Sequence, residues 1–119
     1  PEATIYAVRT LKNVDTLILG GYDRGIDYRE LVSFLTASAI TNLIFIGQAG
    51  ERLKGMFEED KVGSKRLLSA KDYAQVMMYA GTFTAKDTIC LLSPAAASYD
   101  MFRDLRERGE VYCALASKL

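Results

Sequence analysis

Leu17-Ile-Leu-Gly-Gly-Tyr-Asp-Arg-Gly-Ile-Asp-Tyr28 decides the fold. Thr16 to Leu19 is a short apolar run of strand length, and it feeds the glycine pair Gly20-Gly21. Glycine tolerates positive φ and lets another group approach the backbone, so the pair marks a sharp turn at the end of a buried strand. One cation, Arg24, follows. Asp27 then stands where a helix cap belongs, ahead of Tyr28, Leu31, Val32 and Leu35 at helical spacing. Strand, glycine turn and amphipathic helix together make the opening of a βα unit. Leu91-Leu-Ser-Pro-Ala-Ala-Ala-Ser98 repeats the layout later in the chain, with Ser93 at the strand end and Ser98 before the next helix.

The flanking sequence extends the pattern. Glu2 to Lys12 reads as a helix, Leu43-Ile-Phe-Ile46 as a second strand, and the residues around Leu53, Met56 and Phe57 as the helix after it. Glu58 to Ser64 reads as a polar loop. Arg66 to Ser69 is a weak strand, with Ser69 able to cap a helix carrying Tyr73, Val76, Met77 and Ala80. Thr82 to Asp87 reads as a connector and Thr88 to Leu92 as a strong strand. Met101, Phe102 and Leu105 share a helix face that ends at Arg108-Gly109, and Glu110 to Leu119 reads as a closing helix. The strands are apolar throughout instead of alternating, so both of their faces are covered. The expected fold class is α/β: a Rossmann-like, mostly parallel sheet with helices on both faces, in a single domain over residues 1–119.

Composition narrows the function. The 119 residues are 50% hydrophobic and 25% charged, with Lys plus Arg equal to Asp plus Glu at 15 each. A zero balance supplies no electrostatic footprint for nucleic acid or an anionic membrane. No apolar run approaches the ~20 residues of a membrane-spanning helix, and the opening residues lack the basic end and apolar block of a signal peptide. Histidine is absent, which excludes a Ser-His-Asp or Cys-His group within this chain. Cys90 lies in a strand pattern and reads as core, Cys113 falls in the expected closing helix, and their spacing matches no metal motif. The chain opens on Pro1-Glu2 without Met, as a piece cut from a longer protein would.

In open parallel sheets, ligands bind beyond the carboxyl ends of strands. At the first such end, Arg24 offers a planar fork of donors suited to a carboxylate or phosphate. The same residue in a plain turn would pair with Asp23 or Asp27 at the surface. At the second, Ser98 brings a hydroxyl and a helix N-terminus to one spot, an arrangement that suits an anion and equally suits ordinary capping. The third end, Gly47-Gln-Ala-Gly50, resembles an incomplete dinucleotide fingerprint and is better explained by tight helix–strand packing. No P-loop spacing occurs, and Glu58-Glu-Asp60 reads as a solvated loop with no metal expected. Residue chemistry alone thus leads to an α/β domain with a small-anion site between Arg24 and Ser98, and does not select a reaction.

At these residues the chain resembles the C-terminal domain of the Mur ligase family, in its D-glutamate-adding branch. Leu19-Gly-Gly-Tyr-Asp-Arg-Gly-Ile-Asp-Tyr28 is similar to that branch's L-G-G-x-x-[KR]-x-x-[DE]-[FY]. Leu92-Ser-Pro-Ala-Ala-Ala-Ser-Tyr-Asp-Met-Phe102, with Arg108-Gly109, is similar to its L-S-P-[AG]-x-A-S-x-D-x-[FY] and R-G. Order and spacing agree over essentially the whole chain. The resemblance implies a three-domain cytoplasmic, monomeric enzyme of peptidoglycan precursor synthesis. ATP, with Mg2+, would activate the carboxylate of UDP-N-acetylmuramoyl-L-alanine for attack by the amine of D-glutamate. It also implies that Arg24 pairs with the D-glutamate α-carboxylate, that Ser98 binds its side-chain carboxylate, and that the backbone of Leu105 contacts the latter. Gly20, Gly21, Asp23 and Ser93 would support these contacts. ATP and Mg2+ would be bound mainly outside this segment, which alone would be inactive. A free-standing nucleotide- or anion-binding module, a sister Mur ligase and folylpolyglutamate synthase are the competing expectations.

Overall fold

The computed structural model describes residues 2–21, 25–59, 63–93, 99–108 and 112–116. The elements are α1 (Glu2–Thr10), β1 (Val14–Gly20), α2 (Arg29–Thr36), β2 (Asn42–Ile46), α3 (Gly47–Glu59), β3 (Arg66–Ala70), α4 (Tyr73–Phe83), β4 (Ile89–Leu92), α5 (Tyr99–Arg108) and β5 (Tyr112–Leu115). The strands form one sheet in the order β3-β2-β1-β4-β5, and every ladder is parallel. The expected α/β fold is therefore the observed one.

Successive strand residues point to opposite faces, and the core divides accordingly. Leu17, Leu19, Leu43, Phe45 and Leu91 pack with residues of α1, α2 and α3 on one face. Ile18, Ile44, Cys90 and Leu92 pack with Val76 and Ala80 of α4 and Leu105 of α5 on the other. The chain crosses between faces after β3, when α4 carries it past β2 and β1 to β4. The strand order therefore reverses direction at the β1–β4 seam, the topological switch at which such sheets bind ligands.

A polar hub locks the opposite end of the sheet. Asn42, the first residue of β2, is wholly buried. Its Nδ2 donates to Thr16 Oγ1 at 3.0 Å and to the Phe83 carbonyl at 2.8 Å, and its Oδ1 accepts from Arg66 at 2.7 Å. Thr16 Oγ1 lies 2.7 Å from Thr84 Oγ1, and the Arg66 guanidinium stacks 4.3 Å from the Phe83 ring centroid. The β1–β4 register shifts between Val14 and Thr16. Asp15, at this bulge, accepts from the Ala85 N–H at 2.8 Å. An irregularity of this kind redirects a side chain, and here it accompanies the tie between β1 and the end of α4.

Four local expectations need correction. The described part of the expected closing helix, residues 112–116, is not an α-helix, and residues 110, 111 and 117–119 lie outside the described residues. Tyr112–Leu115 extends the sheet as an edge strand, with Cys90, Leu91 and Leu92 opposite Cys113, Ala114 and Leu115. Pairing with β4 overrides the segment's local helical pattern. Ser69 does not cap α4. It lies inside β3, one residue before the strand ends at Ala70, and Asp72 caps the helix by accepting from Gln75 N at 2.9 Å. Asp27 does not occupy the N-cap of α2, which is Tyr28, but binds the first helical N–H, that of Arg29, at 3.0 Å. The connector expected from Thr82 begins later, because α4 continues to Phe83.

Candidate functional site at the β1–β4 seam

The two motif-bearing strand ends lie side by side. Ile18 is opposite Leu92 in the β1–β4 ladder, and the Ser93 N–H donates to the Ile18 carbonyl at 3.0 Å. Gly20, Gly21 and Ser93 are thus brought together at the switch of the sheet. Arg24, Asp23 and Ser98 lie outside the described residues, in the stretches that leave from these two ends. Leu105 is elsewhere: its side chain is 2% exposed and packs in the second core. That burial leaves its backbone, not its side chain, for any ligand contact.

The glycine turn is built against β2 and α3. Gly20 has φ 131°, and the space its Cβ would need is taken by the Ile46 carbonyl and the Gly50 Cα. The Gly21 N–H donates to the Ile46 carbonyl at 2.8 Å, and the Gly21 carbonyl accepts from Ala49 N at 3.1 Å. Gly47, with φ 76°, would place a Cβ 2.6 Å from that same Gly21 oxygen. The freedom expected at Gly20 to admit a ligand is therefore used to seat β1 on β2. The same contacts bear out tight packing at Gly47 to Gly50, where Gly50 lies against the Phe45 backbone.

Backbone contacts already occupy part of this third strand end. The Ala49 N–H in the first turn of α3 already serves Gly21, and the Gly21 backbone closes over Gly47. Among the described residues, no group of three or more acidic, Cys or His side chains converges as a metal site would require.

The loop that re-enters α2 is braced by residues the sequence did not single out. Arg52 of α3 donates to the Ile26 carbonyl at 2.8 Å and stacks 4.6 Å from the Tyr28 ring centroid. Asp27 is held by the Arg29 side chain, with Nη2 to Oδ2 at 2.7 Å and Nε to Oδ1 at 3.1 Å. The side-chain hydrogen bond from Arg29, then its backbone N–H, push the Asp27 carboxyl down to about 2. Both Asp27 oxygens are thus engaged by Arg29. No local spacing signals Arg52, because its partners lie 24 to 26 positions earlier and meet it only through α2–α3 packing.

Comparison with known proteins gives the resemblance a concrete form. The UDP-N-acetylmuramoylalanine–D-glutamate ligase of Syntrophotalea carbinolica is 35% identical over 117 residues, covering 98% of this chain and 25% of the relative. That of Thermoanaerobacter sp. strain X514 is 32% identical over 119 residues, covering 100% of this chain and 26% of the relative. That of Porphyromonas gingivalis strain ATCC 33277 is 34% identical over 111 residues, covering 93% and 24%. No family model and no solved structure matches the chain. The chain spans about a quarter of the length of the curated relatives it matches. Over nearly all of its own length, the chain is similar to a quarter-length segment of UDP-N-acetylmuramoylalanine–D-glutamate ligases.

Proposed function

We propose that this chain is the C-terminal, D-glutamate-holding domain of a three-domain ligase that joins D-glutamate to UDP-N-acetylmuramoyl-L-alanine in peptidoglycan precursor synthesis. The observation that carries the reading is the meeting of β1 and β4 at the seam, because the two motif stretches leave the sheet from adjacent points. D-glutamate has two carboxylates, and the two stretches supply one guanidinium, Arg24, and one hydroxyl at a helix start, Ser98. The Leu105 backbone would add a third contact. Charge-assisted hydrogen bonds contribute roughly 1.5–3 kcal/mol each, so the domain alone should bind D-glutamate no better than about millimolar.

In this reading the domain contributes position. It holds the amine of D-glutamate beside the activated carboxylate of the acceptor, which converts an encounter between molecules into a reaction within one complex. ATP and Mg2+ supply the carboxylate activation and belong to the other domains, consistent with the closed packing at Gly47. The enzyme would be cytoplasmic and monomeric, with this segment inactive by itself.

The test is Arg24→Ala in the full-length ligase. The KM for D-glutamate should rise roughly ten- to a hundred-fold, the loss of one charge-assisted contact, with the KM for ATP little changed. An unchanged D-glutamate KM would refute the assignment. Profiling D-glutamate against the amino acids used by sister ligases separates this reading from theirs.

A further inference from the structure

Two thiols that the proposed ligand site does not use face each other beneath α5. Cys90 and Cys113 are register partners in the parallel β4–β5 ladder, so their side chains share one face of the sheet. Both belong to the second core, with Leu92 and Leu105, and they are 0% and 6% exposed. Adjacent strands run about 4.8 Å apart, inside the roughly 4.4–6.8 Å Cα separation that a disulfide spans.

The electrostatics distinguish the two sulfurs. Their mutual hydrogen bond, then burial, raises the Cys90 thiol, whereas the bond from Cys90 lowers Cys113, with the Arg106 guanidinium acting in the same direction. Of the two, Cys113 is the readier nucleophile. Access comes from the edge: β5 has four residues, pairs on one side only, and leaves Tyr112 68% exposed. Short edge strands open locally more readily than central ones.

We propose that Cys90 and Cys113 are a thiol pair that a peroxide closes into an intrachain disulfide, stapling the edge strand β5 to β4. The Cys113 thiolate attacks one peroxide oxygen, the O–O bond breaks, and hydroxide leaves to take up the proton released by Cys113. The Cys113 sulfenic acid is then attacked by the Cys90 sulfur. The S–S bond forms, the S–O bond breaks, and the departing hydroxide takes the Cys90 proton. Two thiols lose two electrons and the peroxide becomes two waters. The staple encloses residues 91–112, and therefore Ser93, α5 and the stretch that carries Ser98.

The experiment treats the purified, folded chain with stoichiometric hydrogen peroxide and reads intact mass, free thiols and a non-reducing peptide map. The expected result is a loss of about 2 Da, both thiols blocked to alkylation, a peptide linking Cys90 to Cys113, and full reversal by dithiothreitol. Oxygen adducts without mass loss, disulfide-linked dimers, or two thiols still free would each overturn the proposal. Cys90→Ser should leave a sulfenic acid on Cys113 that dimedone traps. If that variant does not fold, the wild-type mass and peptide map still decide.

Discussion

Gly20 and Ile46 meet backbone to backbone: the Ile46 carbonyl occupies the place of a Gly20 Cβ, while Gly20 itself sits at φ 131°. An alanine there would face both a clash with main chain that cannot rotate away and a backbone region L-residues rarely adopt. Gly20→Ala should destabilise the domain on the order of 3 kcal/mol. Gly55, in the middle of α3, has nothing within 4 Å of its missing Cβ. Gly55→Ala should instead stabilise by about 0.5–1 kcal/mol. Urea midpoints of the two variants test the contrast, and equal shifts of the same sign would contradict it.

Asn42 holds three strands and the end of α4 through one amide. Asn42→Ala would strand the Phe83 carbonyl and remove the acceptor of Arg66, both joined to Asn42 at under 3 Å. The expected cost is roughly 2–4 kcal/mol, from buried polar groups left without partners plus a small cavity. Arg66→Lys, which keeps charge but loses the planar stack on Phe83, should cost less. A loss below about 1 kcal/mol for Asn42→Ala would show that the hub does not bear on stability.

Asp27 gives the acid side of the stability profile a specific source. Its carboxyl falls from 3.8 to about 2 in the folded state because Arg29 binds the ionised form. A depressed folded pKa stabilises above the unfolded value, and that contribution disappears as pH drops through the folded value. Stability should therefore decline between about pH 4 and pH 2 more steeply in the wild type than in Asp27→Asn. The pair is exposed, so the difference is small and shrinks with salt. Identical acid limbs in low salt would remove Asp27 from the explanation.

Leu105 separates packing from ligand contact. Leu105→Ala should cost about 2–5 kcal/mol, as expected for a buried leucine, because its side chain is a member of the second core. Leu105→Met should cost less than about 1.5 kcal/mol. In the full-length ligase, Leu105→Met should leave the D-glutamate KM unchanged, since any contact there is made by the backbone. A selective rise in that KM would assign the side chain a role its burial does not suggest.

The sheet was legible because β1, β2 and β4 are buried on both faces and advertise themselves as apolar runs, with half-buried β3 a weaker one. The fifth was not, because Tyr112 to Leu115 becomes a strand only beside Cys90 to Leu92. The glycine pair announced a turn, yet nothing local identified its partner. Ile46 lies 26 positions after Gly20 and meets it only once β1 and β2 are in register. Thr16, Asn42 and Arg66 each look like a lone polar residue beginning a strand. Their convergence is a product of that register and of the crossover that returns α4 beneath them. At the seam, the motifs marked two strand ends, and the strand order supplied their adjacency.

The hub at Asn42 and the glycine turn at Gly20 stand at opposite ends of the same strands. The β1–β2 register is therefore fixed at both ends, by the side-chain hub at one and by backbone contacts of the glycine turn at the other. Such an arrangement makes the scaffold a frame fastened at both ends, with the two strand ends at the seam held at a fixed spacing whatever leaves them.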